Sequence, residues 1–344
     1  MAPQQNASIH PARLVSLIEA FAGVRVLVFG DLIVDEFIDG EIARVSREAP
    51  VLILNYDSTA IVPGGAGNAA GNVAALGGRA VVVGATGQDD TGRRLLDAMR
   101  EHVDVRGIVR ARAFRTPTKT RILAGGIHSA KQQVVRIDRA AGPQLADADR
   151  AAVAARLVSD ASQCDALLVS DYGSGMVTPA LVRQAQKALR RGRRAAPPVL
   201  VDSRYSLLRF RGMTTCTPNE SEVEQLFGIR IGENARTLEK AGRELLARTH
   251  SAAVLVTRGS RGMALFEAGR PTVHVPIFGS DQIADVTGAG DTVIATMTLA
   301  LAAGATFLEA THLANYAGGI VVMKRGTATV GADELRHAVV SDLG

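Results

Sequence analysis

The chain has 344 residues, 47% of them hydrophobic, which is enough to bury a large core and ordinary for one large α/β unit. Its formal net charge of +5, from 39 basic and 34 acidic residues, is too small an excess to favour nucleic acid over a small anion. The two cysteines, Cys164 and Cys216, lie far apart with no C-x-x-C pattern, so neither a disulfide framework nor a zinc site is suggested, and a reducing, cytoplasmic setting fits.

Taken in chain order, the amino terminus "MAPQQNASIHPARL" lacks the basic start and apolar centre of a signal peptide, and no export is expected. Six short β-branched apolar runs follow: "VRVLVFGD" (24–31), "RAVVVGATG" (79–87), "DALLVSDYG" (165–173), "PVLVDS" (198–203), "GMTTCTPN" (212–219) and "AAVLVTRG" (252–259). Each stops at Gly, Asp, Ser or Asn, and helix-like stretches follow most of them. Such alternation predicts a parallel sheet covered on both faces, with ligands gathering beyond the carboxyl ends of the strands, where Asp31, Asp171, Asp202 and Asn219 sit. Two excursions break the pattern, 36–65 and 107–139. They lack helical periodicity and carry turn signals at Gly40, Pro50 and Gly125-Gly126. They predict a small β-sheet appendage, at about 36–58 and 107–139 within a single domain covering 1–344, that works as a lid, a dimer surface or both. The basic run "LRRGRR" (189–194) fits the end of a helix, where cations suit the dipole, better than a nucleic-acid patch, because no aromatics interleave it. The uncharged segment 292–308 is slightly short for a bilayer crossing and predicts a helix buried against the sheet.

Several common chemistries are absent from the sequence. It has no G-x-x-x-x-G-K-[ST], no H-E-x-x-H and no G-x-S-x-G, and the spacing in "GGAGNAAG" (64–71) is wrong for a dinucleotide fingerprint. The informative stretch is "DVTGAGDT" (285–292). A glycine-rich turn entering a helix leaves backbone N–H groups pointing outward at the positive end of the helix dipole, which makes a pocket for an anion. A carboxylate at Asp291 beside such a pocket either caps the helix or faces a hydroxyl that must lose its proton while attacking a bound phosphoryl group. The stretch alone leaves both readings open.

The same "DVTGAGDT" resembles the second signature of the ribokinase-like, or PfkB, carbohydrate kinases, and "PGGAGNAAGNVAALG" (63–77) resembles their first, sugar-binding signature. Order, spacing and the two excursions agree over nearly the entire chain. Further runs, "RVSREAPV" (44–51), "SDYGSG" (170–175), "TPNESE" (217–222), "TRGSRGM" (257–263) and "LANYAGGIVVMKRGTATV" (313–330), are similar within that family to the heptose 7-phosphate kinases of ADP-heptose synthesis. The resemblance implies an α/β fold, a ribokinase-like three-layer α/β/α sandwich with a mostly parallel central sheet and a small β-sheet lid. It also implies ATP-dependent phosphorylation of D-glycero-D-manno-heptose 7-phosphate at O1, toward lipopolysaccharide precursors.

On that resemblance Asp291 is the base, and the amides of Gly288, Ala289 and Gly290 form the anion hole. Asp31, Asp35, Gly65 and Asn68 are the expected sugar contacts, with Asp171 at the same edge, and Arg44, Lys119, Arg121 and Arg204 are the cations for the substrate phosphate. Asn219 and Glu222 would organise Mg²⁺ through water, although the same N-x-x-E pattern also reads as a capping box. Thr257, Gly259, Gly262, Asn315 and Gly319 would form the rest of the nucleotide site, and Asp285 and Thr287 leave a monovalent cation such as K⁺ open. One departure stands out: the heptose kinases usually read D-Y-x-K-G where this chain has "DYGSG", with Ser174 in the lysine's place. A homodimer through the lid is expected. The chain ends shortly after "TATV" and carries no H-x-G-H, so only the kinase step is expected of it, with a separate nucleotidyltransferase supplying the later one. The alternatives are another sugar kinase of the family and, from a different class, a sugar-binding regulator without turnover; no nucleic-acid or membrane partner is expected.

Overall fold

Strand β1 (Arg25–Gly30) sends Val26 and Val28 into one core and Leu27 and Phe29 into another, the alternation expected of a strand covered on both faces. A computed structural model describes residues 10–125, 131–140, 145–279, 285–324 and 326–343; Gly126, half of one expected turn signal, lies outside them. In chain order the elements around β1 are α1 (Pro11–Ala20), the long strands β2 (Leu32–Val45) and β3 (Leu52–Gly65), α2 (Ala66–Ala75), β4 (Arg79–Gly87), α3 (Asp90–Met99), β5 (Asp104–Ala111), β6 (Thr118–Gly125) and β7 (Gln132–Arg139). Then come α4 (Asp147–Ala161), β8 (Ala166–Asp171), α5 (Pro179–Arg190), β9 (Val199–Ser203), β10 (Thr215–Cys216), α6 (Glu220–Phe227), α7 (Ala235–Thr249), β11 (Ala253–Thr257), β12 (Met263–Glu267), β13 (Val273–Val275), α8 (Ala289–Ala302), α9 (Phe307–Val322) and α10 (Ala332–Leu343).

The large sheet runs β13-β12-β11-β10-β9-β8-β1-β4-β5, parallel from β11 to β5 and antiparallel at the β12 and β13 edge. Leu14, Val73, Leu95, Met297, Leu313 and Leu335 bring α1, α2, α3, α8, α9 and α10 onto one face. Leu157, Leu189, Val223 and Leu245 bring α4, α5, α6 and α7 onto the other. The result is a three-layer α/β/α sandwich with both cysteines buried in the second core. Helix α8 lies so deep that every residue from Asp291 to Ala300 is buried, which explains why its sequence carries no amphipathic period. Among the described residues no helix is long and apolar enough to cross a membrane. The basic run after α5 ends the helix as expected, and Arg193 turns back to donate to the Cys164 carbonyl at 2.7 Å.

Strands β3-β2-β6-β7 form the smaller sheet. It springs from the carboxyl end of β1, because β2 begins one residue after Asp31 and β3 returns to deliver Gly65 directly into α2. Residues 107–111, placed by the sequence in the second excursion, instead complete β5, the edge of the large sheet, where the missing side chain of Gly107 lets the strand lie against the Val82 carbonyl. The lid begins at Thr118 on that side and at Leu32 on the other.

In α7, Gly242 lies flat against the ring of buried Phe266, in the space a methyl group would fill. In an exposed helix Gly→Ala stabilises by about 1 kcal/mol. Here we expect Gly242→Ala to destabilise by roughly 1–3 kcal/mol, as overpacking does, read as a lowered midpoint in thermal or urea unfolding.

Candidate active site

Gly288 takes φ 81° at the start of α8, and a Cβ there would stand 2.5 Å from the Asn68 amide nitrogen, so only glycine lets α2 and α8 approach this closely. Asp291 is the third residue of the helix. Its side chain does not cap the helix. It turns inward and accepts from Asn68 Nδ2 at 2.8 Å and from the Tyr172 hydroxyl at 3.2 Å. Burial pushes the Asp291 carboxyl up to about 7, and the Asp35 charge adds to the rise, while the Asn68 and Tyr172 hydrogen bonds and Lys119 hold it down. Tyr172 is itself pushed well above its ordinary value by burial and by Asp291, so it remains a donor at neutral pH. Of the three amides expected to hold an anion, that of Gly288 stands just before the helix, that of Ala289 donates weakly to the Val286 carbonyl at 3.3 Å, and that of Gly290 falls in the first turn, where no preceding helical carbonyl is in reach; the Asp291 amide, not among those expected, shares that turn.

The carboxyl ends of β1, β8 and β9 meet beneath the lid. Asp31 is buried and accepts from the amides of Tyr172 at 2.8 Å and Ser174 at 3.2 Å, and from the Ser174 hydroxyl. Burial raises its carboxyl, against those hydrogen bonds. Ser174 therefore serves Asp31, which is the use this loop makes of the position that departs from the D-Y-x-K-G pattern. Gly65, at φ 57°, lets the chain pass the Asp31 carbonyl, which a Cβ would approach to 2.6 Å. A cavity of about 310 Å³ opens beside Asp31, lined by Lys119, Arg136, Arg139, Tyr172, Ser174, Arg204 and Tyr205 among others. Lys119 lies over the Tyr172 ring, 4.9 Å from its centroid. Burial lowers its ammonium below the ordinary value, opposed by Asp35 and reinforced by Arg204 and Arg121.

Not every expected contact faces this cavity. Arg121 is buried in an ion pair with Asp35, so each neutralises the other. Asp171 is occupied by the Ser203 hydroxyl at 2.7 Å and the Gly173 amide at 3.0 Å, and it shapes the loop from below. Arg44 is exposed on the outer part of β2, away from the cavity. Conversely, Arg136, Arg139 and Tyr205 line it although the sequence did not single them out.

Asn219 and Glu222 form the reciprocal cap of α6, with Asn219 Oδ1 accepting from the Glu222 amide at 2.9 Å and Glu222 Oε2 from the Asn219 amide at 3.0 Å. Glu222 Oε1 is left over. Burial raises the Glu222 carboxyl, and burial together with Glu222 and Asp291 raises Asp202 well above its ordinary value. This cluster of half-buried hard oxygens suits a divalent cation kept at a distance by its own waters, and among the described residues no three acidic, His or Cys side chains could hold an ion directly. Farther along the same edge, Gly259 and Gly262 adopt φ 56° and 73° in the turn after Thr257, with Gly262 pressed on the Val275 carbonyl. Asn315 donates to the Pro276 carbonyl at 2.9 Å and Gly319 admits Phe278, so these two residues of α9 position the segment after β13. Asp285 accepts from the amides of Thr287 at 2.9 Å and Gly326 at 3.1 Å, bringing two loops together beneath the start of α8.

The raised carboxyl of Asp291 has a consequence for stability. Between its ordinary 3.8 and about 7 the folded chain keeps a proton that the unfolded chain has lost, so stability contributed by this group is full in acid and falls as pH rises through that window. Asp291→Asn removes the loss. Its unfolding midpoint should exceed wild type at pH 8 by an amount worth on the order of a few kcal/mol and converge on wild type near pH 4, a comparison that calorimetry at the two pH values makes directly.

The model of the pfkB family of carbohydrate kinases matches residues 25–334. The chain is 40% identical over 338 residues to bifunctional protein HldE of Caulobacter vibrioides, an alignment covering 96% of this chain and 66% of that protein. It thus spans somewhat less than two thirds of the length of the curated relatives it matches. Among solved structures, phosphofructokinase-2 from Escherichia coli in complex with potassium superposes with a TM-score of 0.72 at 19% identity, covering 92% of this chain and 98% of that one. Arabidopsis thaliana ribokinase complexed with ribose and ATP gives 0.66 at 20% identity, covering 93% and 98%. These likenesses carry the ribokinase-like fold, and with the family match they fix the assignment: the chain belongs to the pfkB family of carbohydrate kinases.

Proposed function

We propose that this chain phosphorylates D-glycero-β-D-manno-heptose 7-phosphate at O1, with ATP as donor, giving the 1,7-bisphosphate used in ADP-heptose and lipopolysaccharide precursor synthesis. The observation that carries the reading is the position of Tyr172: its hydroxyl touches Asp291 while its ring forms the wall of a cavity lined by Lys119, Arg136, Arg139 and Arg204. A sugar with one hydroxyl at Asp291 would extend its other end among these cations, an arrangement suited to a sugar that already carries a phosphate. The choice of heptose rests on the runs shared with heptose 7-phosphate kinases and on the likeness to HldE.

In the proposed reaction the ionised Asp291 accepts the O1 proton as the O1–phosphorus bond forms and the bond to the β-phosphate oxygen breaks, so ADP departs with the electron pair. An anomeric hydroxyl is more acidic than an ordinary alcohol, and late proton removal by a carboxylate near 7 suffices. Charge growing on the transferred group meets the first-turn amides of α8, with Gly288 giving the turn its shape. Thr257, Gly259 and Gly262 would border the nucleotide, with Asn315 and Gly319 setting the wall behind it. Mg²⁺, held through water by Glu222 and Asn219, would neutralise the donor's phosphates. A K⁺ ion beside Asp285 and Thr287 is supported by the potassium bound to the E. coli structural relative.

A homodimer through the lid is supported by apolar side chains exposed there, including Val45, Leu52, Tyr56 and Val135, and the exposed Arg44 would lie at that surface. ATP supply and two free cysteines suit the cytoplasm, and a nucleotidyltransferase of the same pathway would use the product's later form.

ADP release with Mg-ATP should be specific for heptose 7-phosphate over ribose and fructose 6-phosphate, and Asp291→Asn should lower kcat about 10²–10⁴-fold. Turnover confined to another sugar would move the substrate, and none on any sugar would favour a binding protein. Arg204→Ala should raise KM for the phosphorylated heptose about tenfold or more while barely changing the weak turnover of the unphosphorylated sugar; equal effects on both would remove Arg204 from phosphate recognition.

A further inference from the structure

Behind Asn68 lies a chain of buried polar groups that links α2 to α8. The Thr292 hydroxyl donates to Asn72 Oδ1 at 3.0 Å, and Asn72 Nδ2 donates to the Asn68 carbonyl at 3.0 Å and to Asn68 Oδ1 at 3.1 Å. Asn68 Nδ2 then donates to Asp291 Oδ2 at 2.8 Å and toward the Gly288 carbonyl at 3.3 Å. Thr292 and Asn72 are fully buried, and Asn68 nearly so.

The direction of this chain is set at both ends by groups that can only accept. A backbone carbonyl takes no hydrogen from an acceptor, so the amide nitrogen of Asn72 must face the Asn68 carbonyl, and that of Asn68 must face Gly288. With Asn72 in that orientation its second hydrogen meets Asn68 Oδ1, which turns the nitrogen of Asn68 toward Asp291. A flipped Asn68 would set its oxygen against the carboxylate and its nitrogen against that of Asn72. Each residue of the chain thereby removes the alternative open to the next.

We propose that Asn72, backed by Thr292, is a positioning residue that fixes the amide of Asn68 and so reserves Asp291 Oδ2 for its shorter, 2.8 Å donor, leaving Oδ1, which accepts the longer 3.2 Å bond from the Tyr172 hydroxyl, as the oxygen that receives the substrate's proton. The inference rests on Asp291 being the base. Among the described residues Asn72 makes no hydrogen bond to Asp291 and does not line the cavity, so its hydrogen-bonded route to the carboxylate runs through Asn68. The charged and titratable groups around Asp291 are Tyr172 after β8, Asp35 on β2, Lys119 on β6 and Asp202 on β9, and none belongs to α2 or to this chain of amides. Because donation from Asn68 favours the ionised carboxylate, loosening Asn68 should move the titration of Asp291 upward.

The test is the pH profile of kcat for Asn72→Leu, close in volume but without polar atoms, beside Asn68→Ala, the double variant, and Thr292→Val paired with Thr292→Ser. Thermal unfolding is measured on each. The acid limb of Asn72→Leu should move up by about 0.5–1 pH unit with KM for the sugar changed less than about threefold, as for uniform binding left intact. The double variant should add nothing to Asn68→Ala, and Thr292→Ser should restore the limb that Thr292→Val shifts. An Asn72→Leu protein that folds but keeps the wild-type acid limb would overturn the proposal, and so would a loss confined to the unfolding midpoint or additive shifts in the double variant. If Asp291→Asn retains turnover, the base assignment itself falls; an inactive Asp291→Asn with an unmoved Asn72→Leu profile removes only the positioning role.

Discussion

A carboxylate has been taken out of water at the start of a buried helix, and much of the site is arranged so that it can still ionise. Desolvation is the largest influence on Asp291 and favours its protonated form. Asn68 and Tyr172 donate to its two oxygens and Lys119 supplies a positive field, which together bring it to about 7. The stability given up by burying this charge is the cost of a base that water cannot reach, a trade common where chemistry demands a strained electrostatic environment.

The fold supplies the three directions from which those groups arrive. Helix α2 follows directly on the returning lid strand β3, so Asn68 comes from beneath the lid's root. Tyr172 comes from the carboxyl end of β8, and Lys119 from β6 of the lid itself, paired opposite Asp35 on β2. The cations of the cavity lie mostly on the lid while the base belongs to the sandwich, so a substrate spanning both would tie the two sheets together. That coupling gives the lid a physical reason to close on a phosphorylated sugar, although its Arg136 already pairs with Asp138 at 2.7 Å and its Arg139 with Glu36 at 3.4 Å, so a substrate phosphate would have to share or displace those carboxylates.

Much of the fold was legible because parallel strands buried on both faces leave unbroken apolar runs that end in Gly or Asp; five of the six runs contain a full strand and "GMTTCTPN" contains the two-residue β10. The antiparallel edge of β12 and β13 was not read, since "MALFE" and "VHV" follow no helix and break the alternation that organised the reading. Residues 107–111 misled for a related reason: β5 is an edge strand with intermediate burial, and its mixed sequence resembles the lid strands that follow. At the site, Asp291, Gly288 and Gly65 were legible because backbone geometry is local. The assignment of cations was not. Arg121 has the same residue type as Arg204, which lines the cavity, but it is consumed by Asp35, a partner brought by the register between β2 and β6 that no local pattern encodes. Alternation along "QQVVRIDR" could have shown that Arg136 and Asp138 share one face of a strand and Arg139 takes the other, though not which face meets the cavity.

The claim on which the rest depends is that Asp291 titrates near neutrality within the folded chain, and the carboxyl signal itself tests it most directly. We would label aspartate with ¹³C at the carboxyl carbon and follow the resonance that disappears in Asp291→Asn as pH is varied. A midpoint near 7 is expected. A midpoint near the ordinary 3.8 would mean that the carboxylate is effectively solvated, and the electrostatic arrangement described for the site would be wrong.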